Sequence, residues 1–219
     1  MHDIRLDRWA HTLVHYCLAI QEGDNVAIRS TPLAAPLVEA VYREILRAGG
    51  NPIPLVDLEH LGEILLQEAS ARQIERSYQL LEAINPCIDA QLFIKSENNT
   101  RSLNNINPAQ SALRNQIYGK IRRQQGETKA DLRWCLTLYP TEGYAQDAEM
   151  SLRDFEEFVC RVCFLNDPDP IARWQEVSRE QQRLVDWLVG KKQVHILGAT
   201  TNLRLSIEGR TFINSDGKR

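Results

Sequence analysis

The sequence contains no apolar run long enough to cross a membrane as a helix. Its opening, Met1-His2-Asp3-Ile4-Arg5-Leu6-Asp7-Arg8, alternates in charge and lacks the apolar core of a signal peptide, so the expected location is cytoplasmic. A basic excess is missing too. The 26 Lys and Arg face 29 Asp and Glu, a net charge of -3, which argues against a dedicated nucleic-acid binder. Cys17, Cys87, Cys135, Cys160 and Cys163 are odd in number and follow no framework spacing, as expected of reduced thiols. Neither G-x-x-x-x-G-K-[ST] nor a G-x-G-x-x-G after the first strand occurs, and Gly217-Lys218 is no phosphate loop. The G-x-S-x-G elbow of serine hydrolases is also missing.

What remains is an ordinary globular chain. Its 219 residues are 43% hydrophobic and 25% charged, and a chain of this size buries enough surface to fold without staples. Leu6, Trp9, Leu13, Tyr16, Cys17 and Ile20 recur at helical spacing, and Gly23 ends that helix. Val26–Arg29 reads as a strand. Thr31-Pro32 is a helix-start signal, and Leu33, Leu37, Val38, Val41, Ile45 and Leu46 give the helix a broad apolar face. Gly49-Gly50 ends it, and Pro52-Ile53-Pro54-Leu55-Val56 follows as a strand whose prolines place it near an edge. This β-α-β unit implies a parallel pair.

Helices are expected near 59–68 and 71–84, a strand over 88–94, a loop over 96–108 and a helix opening at Pro108. A strand over 132–138 leads to a loop over 139–144, and Ser151 caps another helix. A longer helix ends at Gly190. Val194–Leu197 and Leu203–Ile207 then alternate as strands, with Thr211–Asn214 a candidate third. The expected architecture is α/β, a largely parallel sheet with flanking helices, followed by the first strands of an incomplete second domain. Residues 1–190 form the α/β domain in this reading, and 191–219 open the next.

Candidate chemistry is sparse. His11 and His15 have the i, i+4 spacing of a metal helix, but Thr12 stands where a zinc hydrolase carries Glu, and the pair reads as a solvated face. Cys160-Arg161-Val162-Cys163 lacks a second ligand pair and sits inside a helical pattern, so buried thiols are expected. Ser30-Thr31-Pro32 reads as a plain helix cap rather than an anion site. Glu142, Asp147 and Glu149 fall near a carboxyl edge of the sheet, where α/β ligands bind, and equally suit a solvated loop. Asp154, Glu156 and Glu157 favour the start of their helix, and the basic stretch Arg114–Arg123, with Tyr118, reads as helix surface. No complete catalytic constellation emerges.

Four stretches in order carry a resemblance. They are Tyr16–Val26; Ala35-Pro36-Leu37 with Leu46–Pro52; Trp134–Thr141 continuing through Ala145-Gln146 to Met150-Ser151; and Leu203-Arg204-Leu205 with Gly209-Arg210 and Ile213–Arg219. Together they resemble the N-terminal part of the M29 family of metal-dependent aminopeptidases, and the likeness runs nearly the whole chain. The resemblance implies an α/β N-terminal domain, removal of N-terminal residues from peptides with two divalent metal ions per active site, and homodimers. It also implies that the metal ligands belong to the family's C-terminal part, beyond Arg219. No residue of this chain therefore inherits a catalytic, cofactor-binding or metal-ligand role, and the chain alone is expected to be inactive. Asn202 departs from the family's usual Asp, and Glu142-Gly143 from its usual Pro-Ala type of sequence. The alternative readings are a free-standing interaction module that pairs with a separate catalytic half, and a small-ligand-binding α/β domain using the edge near Tyr139–Tyr144. Neither nucleic acid nor membrane is an expected partner.

Overall fold

The structure is a computed structural model that describes residues 3–128 and 132–218, leaving out side chains at 78–84, 118 and 121–128. It divides into two compact units, one reaching to Pro170 and the other Ile171–Gly217. No helix among the described residues is long and apolar enough to cross a membrane.

The first unit is built on a four-stranded parallel sheet in the order β2-β1-β3-β4. Its strands are β1 (Asn25–Ser30), β2 (Asn51–Val56), β3 (Ala90–Lys95) and β4 (Arg133–Leu138). β2 is an edge strand. Its two prolines lack N–H groups for a further ladder, so the edge is where they cost least. β1 and β3 lie inside the sheet and show the near-continuous burial of parallel strands covered on both faces: Val26, Ala27, Ile28, Ala90, Leu92 and Ile94 are buried.

The helix over the first residues does not run as one α-helix. α1 (Ile4–His11), capped by Asp3, passes into a π-helical turn over Thr12–Cys17. The wider turn keeps Leu13, Val14 and Tyr16 buried while rotating the helix face. Thr31 caps a short 3₁₀ turn, Pro32–Ala34, before α2 (Ala35–Arg47) begins. α2 lays Leu37, Val41 and Ile45 on the sheet, where all three are inaccessible to solvent. Burying a side chain of this kind stabilises by about 1.5–3 kcal/mol. Trp9, Leu13, Val14, Leu18, β1, β3, Phe155, Val159 and Leu165 complete this core.

α3 (Leu61–Glu68), α4 (Ala71–Ile84) and α5 (Pro108–Thr128) form a satellite cluster around Leu66, Ile74, Ile106 and Ile117. After β4, residues 142–147 form a short helix, α6 (Glu142–Asp147), where a loop was expected; Thr141 caps it by accepting from the Tyr144 N–H. Ser151 caps α7 (Leu152–Val162) as expected.

The second unit carries most of α8 (Pro170–Leu188) and an antiparallel pair, β5 (Gln193–Leu197) and β6 (Asn202–Ser206). The expected third strand at Thr211–Asn214 does not form. That segment is instead tied to α8 by Asn214, whose Nδ2 donates to the Ser178 carbonyl at 2.9 Å, and by Asp216, which accepts from Ser178 Oγ at 2.7 Å. Ile196, Leu197, Leu203 and Leu205 of the pair are exposed. Within the pair, Asn202 Oδ1 accepts from His195 Nε2 at 2.8 Å.

Candidate functional site

One group of three metal-binding donors converges among the described residues: His11, His15 and Glu44. His11 ends α1, His15 lies in the π turn, and Glu44 comes from α2. Glu44 sits on the apolar side of its helix, next to Ile45 and three residues after Val41, and is pressed against α1 with only 9% of its surface exposed. His11 and His15 are exposed, as the sequence reading of a solvated face expects, and they also meet a carboxylate from α2. His11 Nδ1 and His15 Nε2 each donate to the same oxygen, Oε1 of Glu44, at 2.9 Å. The imidazole rings lie 4.4 Å apart, tilted by 47°. The other oxygen, Oε2, accepts from Arg47 Nη1 at 3.0 Å.

Burial disfavours the charged carboxylate at Glu44, but hydrogen bonds from His11, Arg47 and His15 outweigh it and hold the carboxyl down at about 2. Glu44 is thus a charged acceptor held by three side-chain donors. The signal legible in the sequence was Glu44 itself. A carboxylate on the face defined by Leu37, Val41 and Ile45 must find a partner, because burying it alone is costly.

The strand order puts the topological switch between the carboxyl ends of β1 and β3, where open α/β sheets bind ligands. Here Ser30, Thr31 and Ser96 turn their hydroxyls on one another. Thr31 Oγ1 donates to the Ser96 carbonyl at 2.7 Å, and Ser30 Oγ donates to the Ile94 carbonyl at 3.2 Å. Thr31 thus acts as a cap and a strand clamp. Beside it lies a cleft of about 420 Å³ lined by Asp57, Glu59, Glu97 and Thr100 among others. Glu59 spends its Oε1 on the backbone N–H groups of Asn98 and Asn99.

The carboxylates near this edge do not form a ligand set. Asp147 accepts from Thr100 Oγ1 at 2.6 Å and from Arg101 at 3.4 Å, fastening the loop after β3. Glu142 and Glu149 are exposed and join no three-donor group among the described residues. Asp154 accepts from its own cap, Ser151, at 2.8 Å, while Glu157 accepts from Arg5 at 3.0 Å and from Asn166 at 2.7 Å. Glu156 lines a small pocket with Trp9 and Tyr139. Cys160 is buried and Cys163 half-buried, and burial pushes Cys163 up to about 11 and Cys160 in the same direction. Thiols held protonated in this way are poor nucleophiles. Of the basic stretch, the side chains of Tyr118, Arg122 and Arg123 lie outside the described residues.

Hydrolysis by a pair of cations needs several carboxylate or imidazole ligands around the two ions. His11, His15 and Glu44 offer one carboxylate, with its second oxygen already on Arg47. They do not fit that pair, and no hydrolytic step is assigned to them.

Comparison with known proteins places this architecture. The chain is 24% identical over 204 residues to Aminopeptidase 2 of Geobacillus stearothermophilus, covering 85% of this chain and 48% of the relative. Its fold is that of wild-type AmpT from Thermus thermophilus, with a TM-score of 0.73 at 16% identity, over 92% of this chain and 53% of that one. The chain thus spans about half the length of the relatives it matches. A sequence profile described as thermophilic metalloprotease (M29) matches residues 2–219. With nearly every residue inside that match, the chain belongs to the M29 family of thermophilic metalloproteases.

Proposed function

We propose that this chain supplies the N-terminal α/β domain of a metal-dependent aminopeptidase, with residues 191–219 opening the domain that carries the chemistry. The observation that carries the reading is the pairing of two coverages. The family match takes in residues 2–219, yet the chain reaches only 48% of its aminopeptidase relative. In such enzymes a bound divalent cation polarises the peptide carbonyl and lowers the pKa of water. The ligands for those cations are assigned to the part of the family not represented here.

The residues of this chain then act by position. The clamp of Ser30, Thr31 and Ser96 and the Asp147–Thr100 contact fix the loops at the carboxyl edge of the sheet. Fixed loops on a rigid sheet are suited to forming one wall of a substrate cavity. Homodimer formation and a cytoplasmic location go with this reading.

The test is a peptide-hydrolysis assay on two purified proteins. One is the 219-residue chain with added divalent cations. The other is a fusion of this chain to the second half of an M29 relative. The expected result is no release of N-terminal residues by the chain and release by the fusion. Activity in the chain alone overturns the proposal, and so does a folded, metal-loaded fusion without activity.

A further inference from the structure

We propose that His11, His15 and Glu44 form a binding site for one divalent first-row transition metal ion, zinc in particular, across the junction of α1 and α2. The proposal concerns ion binding alone and does not rest on peptide hydrolysis.

Three observations carry it. The first is convergence. Both imidazole nitrogens address one carboxylate oxygen at 2.9 Å, and all three donor atoms lie within 4.8 Å of one another. In a tetrahedral site with ligand bonds of about 2.0–2.2 Å, neighbouring donors stand roughly 3.3 Å apart. The two N–O separations are within a few tenths of an ångström of that value. The histidine side chains are 55% and 37% exposed, so the rings are free to close on an ion from the solvent side.

The second observation is the holding of the carboxylate. Arg47 on Oε2 fixes the Glu44 plane and leaves Oε1 to the ion. Groups that orient a ligand in this way typically change metal affinity by about 10–100-fold. The third is the π turn over Thr12–Cys17, which begins directly after His11 and contains His15, so the two rings project from helical turns of different width. Turns of this kind are rare and collect at functional sites.

The chemistry balances simply. Without an ion, each imidazole donates an N–H to Glu44. On binding, each ring gives up that proton to solvent; a neutral ring takes one back on its other nitrogen, His11 on Nε2 and His15 on Nδ1, so that His11 Nδ1 and His15 Nε2 present lone pairs. The carboxylate brings one negative charge, and a fourth position stays open for water. Two neutral imidazoles and one carboxylate are a borderline donor set that suits zinc, cobalt or nickel over calcium or magnesium.

The experiment titrates the 219-residue chain with cobalt(II) chloride, followed by displacement with zinc chloride. The expected result is a saturable one-to-one d–d absorption that lacks a thiolate charge-transfer band, which separates this site from Cys160 and Cys163. His11→Ala and His15→Ala, both on exposed side chains, each lower the affinity by more than about 100-fold, beyond what an outer partner contributes. His60→Ala, on an exposed residue away from the cluster, leaves it unchanged. Absence of saturable binding by the native chain overturns the proposal. So does binding that survives both histidine variants, or a spectrum dominated by thiolate.

Discussion

Arg133, the first residue of β4, reaches back to Asp24 at the entrance to β1, with Nη2 donating to Oδ2 at 2.7 Å. Its Nη1 also donates to the carbonyls of Leu18 and Ala19, at 3.2 and 2.8 Å. One guanidinium therefore ties the exit of the π turn to two strands of the sheet. The tie falls where the backbone needs it, because Ala19 has a left-handed φ of 46°. That conformation costs a non-glycine residue about 1–2 kcal/mol.

Arg133→Ala is expected to destabilise the chain by about 1–3 kcal/mol, the range for charge-assisted hydrogen bonds that leave a partly buried partner behind. Urea unfolding measures it. Ala19→Gly works in the opposite direction on the same corner, since glycine adopts the φ freely. In the Arg133→Ala background it recovers part of the loss. A loss below the error of the measurement in Arg133→Ala contradicts the role given to this guanidinium.

Gly143 lies in α6 with its Cα against the loop after β3. A Cβ built there meets the Asn98 carbonyl oxygen at 2.2 Å and its carbon at 2.7 Å. Backbone cannot swing aside as a side chain can. Gly143→Ala is expected to cost about 1–3 kcal/mol through overpacking and to loosen the 97–101 loop. Hydrogen exchange at Asn98 and Asn99, whose N–H groups are held by Glu59, reports the loosening directly. Unchanged protection there removes the argument.

Burial raises two groups near the far edge of the sheet. Cys163 goes up from 9.0 to about 11, and Tyr144 goes up from 10.0 to about 12, with the carboxylate of Glu97 adding to the latter. Each favours the neutral form more in the folded chain than in the unfolded one. Their contribution to stability is complete below pH 9 and is lost as pH rises through 9 to 12. The expected result is a fall in Tm above pH 9 that shrinks in Cys163→Ala and Tyr144→Phe relative to each variant's own neutral-pH value. At pH 8, alkylation followed by peptide mass spectrometry is expected to mark exposed Cys87 well before half-buried Cys163. Equal labelling of the two contradicts the burial argument.

Local signals carried the sheet. Thr31-Pro32, Gly49-Gly50 and the prolines at 52 and 54 bracketed the first β-α-β unit, and the edge position of β2 followed from proline's missing N–H. The His–Glu cluster was hidden for a different reason. His11 and His15 are 29–33 residues from Glu44, and their meeting depends on how α1 packs on α2, which no local spacing encodes. The π turn was hidden as well, because Leu13, Tyr16 and Cys17 satisfy ordinary helical periodicity. Thr211–Asn214 alternates like a strand, and the side-chain ties of Asn214 and Asp216 to Ser178 prevailed over that pattern.

The central claim is that the peptide chemistry resides outside these 219 residues. Its most direct test is immunocapture from the source cells with an antibody raised against α2, followed by intact mass and a peptide-hydrolysis assay on the captured material. The account predicts an active aminopeptidase carried by a polypeptide, or a stable complex, well above 25.1 kDa. A lone polypeptide of 25.1 kDa that releases N-terminal residues by itself would contradict it.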